Sequence, residues 1–230
     1  MNGSPGSPTA ESPEWVKRVS VSPERLSGWV DRFRQGHGPT TWVVAPRTVL
    51  LTATDGAHAL LHNPWEPLAE DASPGAVVRH LTRDRRIGLL LGRKSAHAVG
   101  IAEGGELVAS KVDTSYVQGR TKAGGWSQQR YARRRGNQAD KAVEATVERC
   151  LTRLLPEVGS LEGLVCGGDA AFVAAVLDDA RLAPLAALRT AHPVLPVPDP
   201  RLDVLKDAVG LARAITIDLD DQAIRGRAAR

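Results

Sequence analysis

The chain has few of the residues on which covalently stapled or thiol-ligated folds depend. Only two of its 230 residues are cysteine, Cys150 and Cys166, and both have apolar neighbours. A disulfide framework needs several paired thiols and a cysteine-based zinc site needs closely spaced ones, so this pair argues against both classes. We expect two buried, reduced thiols.

Long apolar runs are also missing. No stretch approaches the length of a membrane span, and the first eight residues have neither the basic nor the apolar region of a signal peptide. The sequence therefore predicts a cytoplasmic protein without a membrane partner.

A metal-binding pattern is missing as well. The six histidines are scattered, and the pair His58 and His62, although four residues apart, lies in a stretch typical of strand and turn rather than helix. We accordingly expect no metal ion and no other cofactor.

Acidic residues are absent from one long stretch in the middle of the chain. From Thr114 to Ala139 there is no Asp or Glu, yet the stretch has six cationic residues, while the whole chain has a net charge of only +4. The rest of the chain is thus slightly acidic, so the positive charge is local and indicates a specific anionic contact. The six are Arg120, Lys122, Arg130, Arg133, Arg134 and Arg135.

Length and composition fit a folded protein with more than one part. A hydrophobic fraction of 42% over 230 residues is enough for a sizeable core. Changes in composition along the chain predict four segments. These are a disordered tail over 1–13, an N-terminal α+β extension over 14–78, a larger α/β domain over 79–221 and a basic C-terminal tail over 222–230.

In the extension we expect one helix and four short strands. Ser22 is a candidate N-cap and Pro23 suits the first helical position, so the helix begins there and runs to about Gln35. Alternating patterns predict strands at 19–21, 41–44, 48–53 and 57–61, the last two joined by the turn Asp55-Gly56. Residues 63–75 are predicted to be a connector, and the strands to extend the sheet of the larger domain.

The larger domain begins with three runs, at 87–91, 96–101 and 107–113, that predict an antiparallel meander. The basic segment, residues 118–136, follows as a loop, and Asn137 is the predicted cap of the next helix. The pattern then predicts a strand at 163–166, a helix capped by Asp169, a strand at 194–197, a helix from Asp199-Pro200 and a strand at 215–217. This order is that of a ribonuclease-H-like layered α/β fold.

The tip of the basic segment, residues 123–129, is uncharged and has the sequence Ala-Gly-Gly-Trp-Ser-Gln-Gln. Three interpretations fit it: a solvated surface loop, an arm that binds nucleic acid with Trp126 stacked on a base, and a catalytic finger. A finger would present Gln128 or Gln129, since the glycine pair lets the tip enter a confined place.

A glutamine is no nucleophile and a poor acid or base, but its amide both accepts and donates hydrogen bonds and so orients a water molecule. Orienting a water molecule is enough for catalysis only if the bond to be hydrolysed is already activated. The ester that joins a peptide to the terminal ribose of tRNA is activated, and the surrounding phosphates would repel a carboxylate but admit a neutral amide. Metal-dependent nuclease chemistry is an alternative, with Asp113 and Asp169 at predicted strand ends, although both also suit turn or cap positions.

The motif Gly125-Trp126-Ser127-Gln128 resembles the Gly-x-x-Gln signature of Vms-like release factors, a family related to the middle domain of eukaryotic class-one termination factors and of Pelota. The order of predicted elements over residues 85–221 is similar too, and the likeness is greatest to the actinobacterial branch, described as peptidyl-tRNA hydrolases. The resemblance implies the ribonuclease-H-like fold and release of nascent chains from stalled, split large ribosomal subunits.

By motif, the resemblance makes Gln128 the catalytic residue and Gly125 the residue whose backbone freedom presents it. It makes RNA the ligand of the flanking cations and of Trp126. The implied partners are the large ribosomal subunit and peptidyl-tRNA, and we expect the protein to act as a monomer. Cleavage of the tRNA 3′ end in place of the ester, or RNA binding without catalysis, stays open as an alternative.

Overall fold

The computed structural model describes residues 13–93, 96–114 and 127–225, with the backbone alone for 113–114 and 127–139. The disordered tail predicted over 1–13 therefore lies outside the described residues except for Pro13. The described chain forms two compact units. Among the described residues, the first contains 13–63, 68–78 and 215–225, and the second contains 64–67, 79–93, 96–114 and 127–214.

The described chain has nine strands and seven α-helices. The strands are β1 (Lys17–Val21), β2 (Thr40–Ala45), β3 (Thr48–Ala53), β4 (His58–His62), β5 (Arg86–Arg93), β6 (Ala96–Glu103), β7 (Glu106–Thr114), β8 (Gly163–Gly168) and β9 (Ile215–Leu219). The helices are α1 (Pro23–His37), α2 (Pro74–Thr82), α3 (Ser127–Arg153), α4 (Ala170–Leu177), α5 (Ala183–Ala186), α6 (Leu202–Arg213) and α7 (Asp221–Arg225), with 3-10 turns at Leu155–Ser160 and Ala180–Leu182. None of these helices is long and apolar enough to cross a membrane. The protein is therefore a mixed α/β structure with two sheets.

The first unit has an antiparallel sheet in the order β1-β9-β4-β3-β2. Helix α1 begins at Pro23, whose missing N–H costs nothing in the first turn, and buries an apolar face at three- and four-residue spacing. Trp29 stacks on Phe33 within that face, with ring centroids 5.5 Å apart. The predicted helix and strands of this region are confirmed, but Ser22 makes no side-chain capping hydrogen bond.

Two buried carboxylates on or beside β9 each bind a histidine of β4. His62 Nε2 lies 2.8 Å from Asp218 Oδ2, and His58 Nδ1 lies 2.8 Å from Asp220 Oδ2. The four-residue spacing of the histidines thus places them on one face of a strand, where alternate residues point the same way. Arg18 donates to both oxygens of Asp218, and this contact, with that of His62, lowers the pKa of Asp218 to about 2.

The second unit has the strand order β7-β6-β5-β8, with β8 parallel to β5 and the other neighbours antiparallel. The predicted meander is confirmed. Alternate residues of the sheet point to opposite faces, and both faces are buried. Leu90 and Val99 pack with helices α3 and α4, whereas Leu89 and Ala98 pack with helix α6.

A tight turn joins β8 to α4. Gly168 has a φ of 99°, and a Cβ at this position would lie 2.2 Å from the carbonyl oxygen of Gly92. Asp169 N donates to that same oxygen at 2.8 Å, and the Asp169 carboxylate accepts from the N–H groups of Ala171 and Phe172. The predicted capping role of Asp169 is confirmed, and glycine is required before it because side chains disfavour this backbone conformation.

Some predicted elements differ from the structure. The extension does not extend the sheet of the larger domain, because its strands form a sheet of their own, which β9 joins. The predicted domain 79–221 thus loses its last strand to the first unit. Residues 222–225 of the predicted basic tail belong to helix α7, and 226–230 lie outside the described residues. The alternating pattern of β9 does not specify which strands it pairs with, because those strands lie far away in the sequence.

Proline explains two further differences. The strand predicted at 194–197 is reduced to a single bridge between Leu195 and Gly167, because its neighbours Pro193, Pro196 and Pro198 have no N–H for a ladder. Helix α6 begins after an extended Arg201 rather than at Asp199-Pro200. Helix α2 begins at Pro74, where the connector predicted over 63–75 ends. Like α1 it starts with Ser-Pro, and Ala76 N donates a hydrogen bond to Ser73 Oγ.

We expect Gly168→Ala to lower the free energy of unfolding of the full chain by about 1–3 kcal/mol, because the new Cβ meets backbone and the φ is strained. Gly210→Ala in helix α6 is the matched control, since nothing lies within 4 Å of its Cβ position. It should raise stability by up to about 1 kcal/mol through helix propensity. Denaturant titration of both variants checks this, and equal stability of the two would contradict the assignment of the turn.

We also expect Asp218→Asn to destabilise the protein at neutral pH by about 1–2 kcal/mol, a figure reduced because Arg18 is largely exposed. The pKa of Asp218 is lowered from 3.8 to about 2, so its stabilising effect is complete above pH 4 and is lost as the pH falls towards 2. Thermal unfolding at a series of pH values should show the difference from wild type shrinking over that interval. A difference that stays constant down to pH 2 would overturn this interpretation.

Candidate functional site

The predicted site residues fall into two groups in the structure. Arg120, Lys122, Gly125 and Trp126 lie outside the described residues. The backbone of the others is described, and it lies in the first turns of helix α3. These residues are Gln128, Arg130, Arg133, Arg134 and Arg135.

The second half of the basic segment is therefore helical, which corrects the predicted helix start at Asn137. Gln128 is the second residue of α3, and Asn137 lies inside the helix instead of capping it. Gly136 is the only glycine between Ser127 and Pro156, and there is no proline in that interval, so nothing in the sequence forces a break. The signal that could have shown this is the three- and four-residue spacing of Arg130, Arg133 and Arg134.

Two elements of the second unit bracket the tip. Strand β7 ends at Thr114 at one edge of the sheet, and α3 begins at Ser127. After α3 the chain forms β8 at the opposite edge. The connection that contains the candidate motif is thus fixed to the sheet on both sides.

The second half of α3 is anchored in the core. Ala142, Val147, Cys150 and Leu154 are buried in a cluster with residues of β5, β6 and α4. Thr146 Oγ1 is also buried and donates to the carbonyl oxygen of Ala142 at 2.7 Å. Val143, Val147, Cys150 and Leu154 recur at four-, three- and four-residue steps, which predicts an apolar stripe, and their burial, partial for Val143, confirms it.

The first half of α3 differs in composition from the anchored half. Residues 127–141 include no Val, Leu, Ile or Met, so this part of the helix has no aliphatic stripe to bury. At a rise of about 1.5 Å per residue, Gln128 lies roughly 21 Å along the axis from Ala142. Helix α3 thus places Gln128 far from the buried side chains that fix the other end of the helix.

Charge is divided along α3 in the same way. Its first acidic residue is Asp140, and Glu144 and Glu148 lie farther on, where both bind Arg181. Four arginines instead stand near its N-terminus, although the helix dipole is positive there and cations lower helix stability. This arrangement opposes the local preference of a helix. It suits the binding of an anion, because the arginines and the free N–H groups of the first turn attract the same charge.

Two other groups of the second unit are not suited to chemistry. Burial raises the pKa of Cys150 to about 12 and that of Cys166 to about 11, so both thiols stay protonated, and the prediction of buried, unpaired cysteines is confirmed. Burial also lowers the pKa of His192 to about 4. Its Nε2 lies 2.9 Å from the carbonyl oxygen of Ala212, a contact that orients the ring, while burial keeps it neutral.

The carboxylates considered for metal chemistry are not gathered by the described chain. Asp169 is engaged in the cap of α4, and the side chain of Asp113 lies outside the described residues. Among the side chains that the structure describes, no three of the types His, Cys, Asp and Glu form a group able to hold a metal ion.

A cavity of about 190 Å³ in the second unit lies far from the candidate tip. Ser110, Thr152, Arg153 and Glu157 are among the residues that line it. Thr152 and Arg153 end helix α3, roughly 36 Å along the axis from Gln128. The cavity therefore belongs to a different region from the Gly-x-x-Gln motif.

A family model described as Actinobacteria/chloroflexi VLRF1 release factor matches residues 85–218. Among solved structures, the chain is similar to a crystal structure of the archaeal translation termination factor aRF1, with 15% identity and a TM-score of 0.43 over 82% of this chain and 69% of that one. It is also similar to an archaeal protein, with 14% identity and a TM-score of 0.35 over 83% of this chain and 70% of that one. No curated protein matches the sequence.

We expect Gly136→Pro to disconnect the first half of α3 from its anchored half. Proline lacks the N–H that donates within the helix and clashes with the preceding turn. The helical circular dichroism signal should fall, while the thermal unfolding midpoint stays close to that of wild type because the buried half is untouched. Gly136→Ala is the matched control and should keep the full signal; equal signals in the two variants would contradict the continuous helix.

Proposed function

Because the chain belongs to the actinobacterial and chloroflexi VLRF1 release-factor family, we propose that it rescues stalled ribosomes by hydrolysing the ester bond of peptidyl-tRNA on the large subunit. The observation that carries the proposal is the position of Gln128. Gln128 lies three residues after the pair Gly124-Gly125, in the first turn of a helix that has four arginines and no acidic residue before Asp140.

Gln128 acts by orienting water. Its amide oxygen accepts a hydrogen bond from the water molecule, and its amide N–H groups can donate to the water or to the substrate. The water oxygen attacks the ester carbonyl carbon, the bond from that carbon to the ribose oxygen breaks, and a proton from the water is transferred to the ribose oxygen. The products are a peptide with a free carboxyl group and a deacylated tRNA.

The neutrality of the amide matters as much as its hydrogen bonds. A carboxylate in its place would meet the phosphates of tRNA and ribosomal RNA at short range, and repulsion between like charges grows as water is excluded. An amide has no such cost. N–H groups near the start of α3 can also stabilise negative charge on the carbonyl oxygen as the tetrahedral intermediate forms.

The arginines of α3 supply binding to RNA. Arg130, Arg133 and Arg134 recur at three- and four-residue steps and so share one side of the helix. Guanidinium groups contact phosphates without reading the bases, which suits a protein that must act on tRNAs of different sequence. Arg120, Lys122, Arg135 and Trp126 are proposed to complete this RNA contact, and Gly125 to let the tip adopt the required backbone conformation.

The proposal extends to the setting of the reaction. The partners are the large ribosomal subunit and peptidyl-tRNA, and the protein works as a monomer in the cytoplasm without a cofactor. For the second unit we propose a ribonuclease-H-like layering. The strand order β7-β6-β5-β8, with a parallel fourth strand and helices packed on both faces, supports it.

We expect Gln128→Ala to reduce peptide release by about 100-fold or more, the usual effect of removing one group that stabilises a hydrolytic transition state. Purified stalled large subunits with labelled peptidyl-tRNA provide the assay, and binding of the variant to the subunits should stay near the wild-type level. Gln129→Ala is the matched control and should keep most of the activity.

The same gel separates the alternatives by the fate of the tRNA. Full-length deacylated tRNA supports ester hydrolysis, and shortened tRNA would replace the proposal with cleavage at the 3′ end. Intact peptidyl-tRNA after incubation with wild-type protein would leave only RNA binding. Full activity of Gln128→Ala would remove Gln128 from the mechanism.

A further inference from the structure

The first unit has a groove of about 390 Å³ between β1 and the first turns of α1, here called the α1 groove. It is lined by Val19, Ser20, Ser22, Arg25, Trp29 and Arg32, among others. Arg32 and Trp29 also line a cavity of about 40 Å³ farther along the same helix, so the two are adjacent. None of the described residues that line either one has a carboxylate.

Two arginines of the α1 groove are available to a ligand. Arg25 and Arg32 are exposed, and neither forms an ion pair with another residue in the described part of the chain. Arg18, on the neighbouring β1, is by contrast bound to Asp218. Arg25 and Arg32 are two helical turns apart, so they lie on one side of α1 and roughly 10 Å from each other along the axis.

The acidic residues of α1 do not neutralise this side. Successive residues of a helix are rotated by about 100°, which places Glu24 and Asp31 roughly a quarter turn beyond the two arginines, towards solvent. The α1 groove therefore has an excess of positive charge, although the described acidic residues are numerous elsewhere in the unit.

A glycine makes room for one of these cations. A Cβ at Gly28 would lie 3.3 Å from Arg32 Nη1, so the guanidinium group lies over the bare helix backbone at this position. Glycine inside a helix lowers its stability, and a side chain here would push Arg32 away. The missing side chain at Gly28 thus leaves room for the Arg32 guanidinium group beside the helix backbone.

The remaining polar groups of the α1 groove are hydroxyl groups. Ser20 is exposed, and the Ser22 hydroxyl, although at the N-cap position, makes no capping hydrogen bond. Trp29 is only 8% exposed and stacked on Phe33, so it forms a fixed wall rather than a platform for a base. Guanidinium and hydroxyl groups both donate hydrogen bonds to phosphate oxygens, and the described lining of the groove has no carboxylate to repel them.

We propose that the α1 groove binds the sugar–phosphate backbone of RNA, as a contact separate from the arginines of α3 and independent of base sequence. The choice of RNA rests on the proposed function, since a release factor works among RNA phosphates. An acidic peptide added to the open edge of β1 fits less well, because such a peptide is fixed by side-chain pockets, and the apolar residues Val21 and Trp29 are already buried in the core.

The test compares Arg25→Glu/Arg32→Glu with Arg34→Glu, a charge reversal on another side of α1, in the full chain. Affinity for purified large ribosomal subunits and for poly(U) RNA is measured over a range of salt concentrations. The double variant should bind at least about tenfold more weakly, with a salt slope lower by one to two units, and Arg34→Glu should bind nearly as wild type. Circular dichroism checks that both variants are folded.

Two results would overturn the inference: unchanged affinity and salt slope in the double variant, or an equal loss in Arg34→Glu. Competition by poly-glutamate together with no binding of poly(U) would assign the α1 groove to an acidic protein segment instead. Release at saturating subunit concentration separates this inference from the proposed function. The double variant should then release peptide at the wild-type rate, whereas Gln128→Ala should not. An active Gln128→Ala would remove Gln128 from the mechanism and leave the RNA-binding result for the α1 groove unchanged.

Discussion

The burial of one half of helix α3 is the constraint on which the candidate site depends. Val147, Cys150 and Leu154 are almost fully excluded from water, and burying each such side chain stabilises the fold by roughly 1.5–3 kcal/mol. The other half has arginines at the positive end of the helix dipole and no aliphatic side chains, so in isolation it would not pass the cost of helix nucleation. The core thus supplies the free energy that the arginine-rich, Gln-bearing start of the helix lacks.

Local patterns predicted most of the second unit, because its strands alternate clearly and its turns have strong signals. The meander, the cap at Asp169 and the apolar stripe of α3 followed from neighbouring residues alone. The errors concern features, such as strand pairing, that depend on residues far apart in the sequence. Ile215 and Ile217 suit a core strand of either sheet, and only the whole fold decides that they pair with β1 and β4.

The candidate site was predictable to a different degree. Composition alone located the acid-free stretch, and the motif singled out Gln128, but neither showed that this residue lies within a helix. Gly136 and Asn137 resemble a helix start, since Asn is a favoured cap, yet the residues before them are good helix formers. The α1 groove was not predicted, because its cations lie on separate turns of α1 and its other side is formed by β1. Only the tertiary fold brings these residues together.

The path of the chain between β7 and β8 also affects how the protein can change over time. The candidate tip lies within a connection that leaves the sheet at one edge and returns at the other, with the helix already fixed in the core. The entropic cost of closing a flexible connection grows only with the logarithm of its length, by about 0.6 kcal/mol for each doubling. A change in the number of residues between Thr114 and Ser127 would leave the buried contacts of Val147 and Cys150 intact, so this entropic cost is the main effect that we expect it to have on folding.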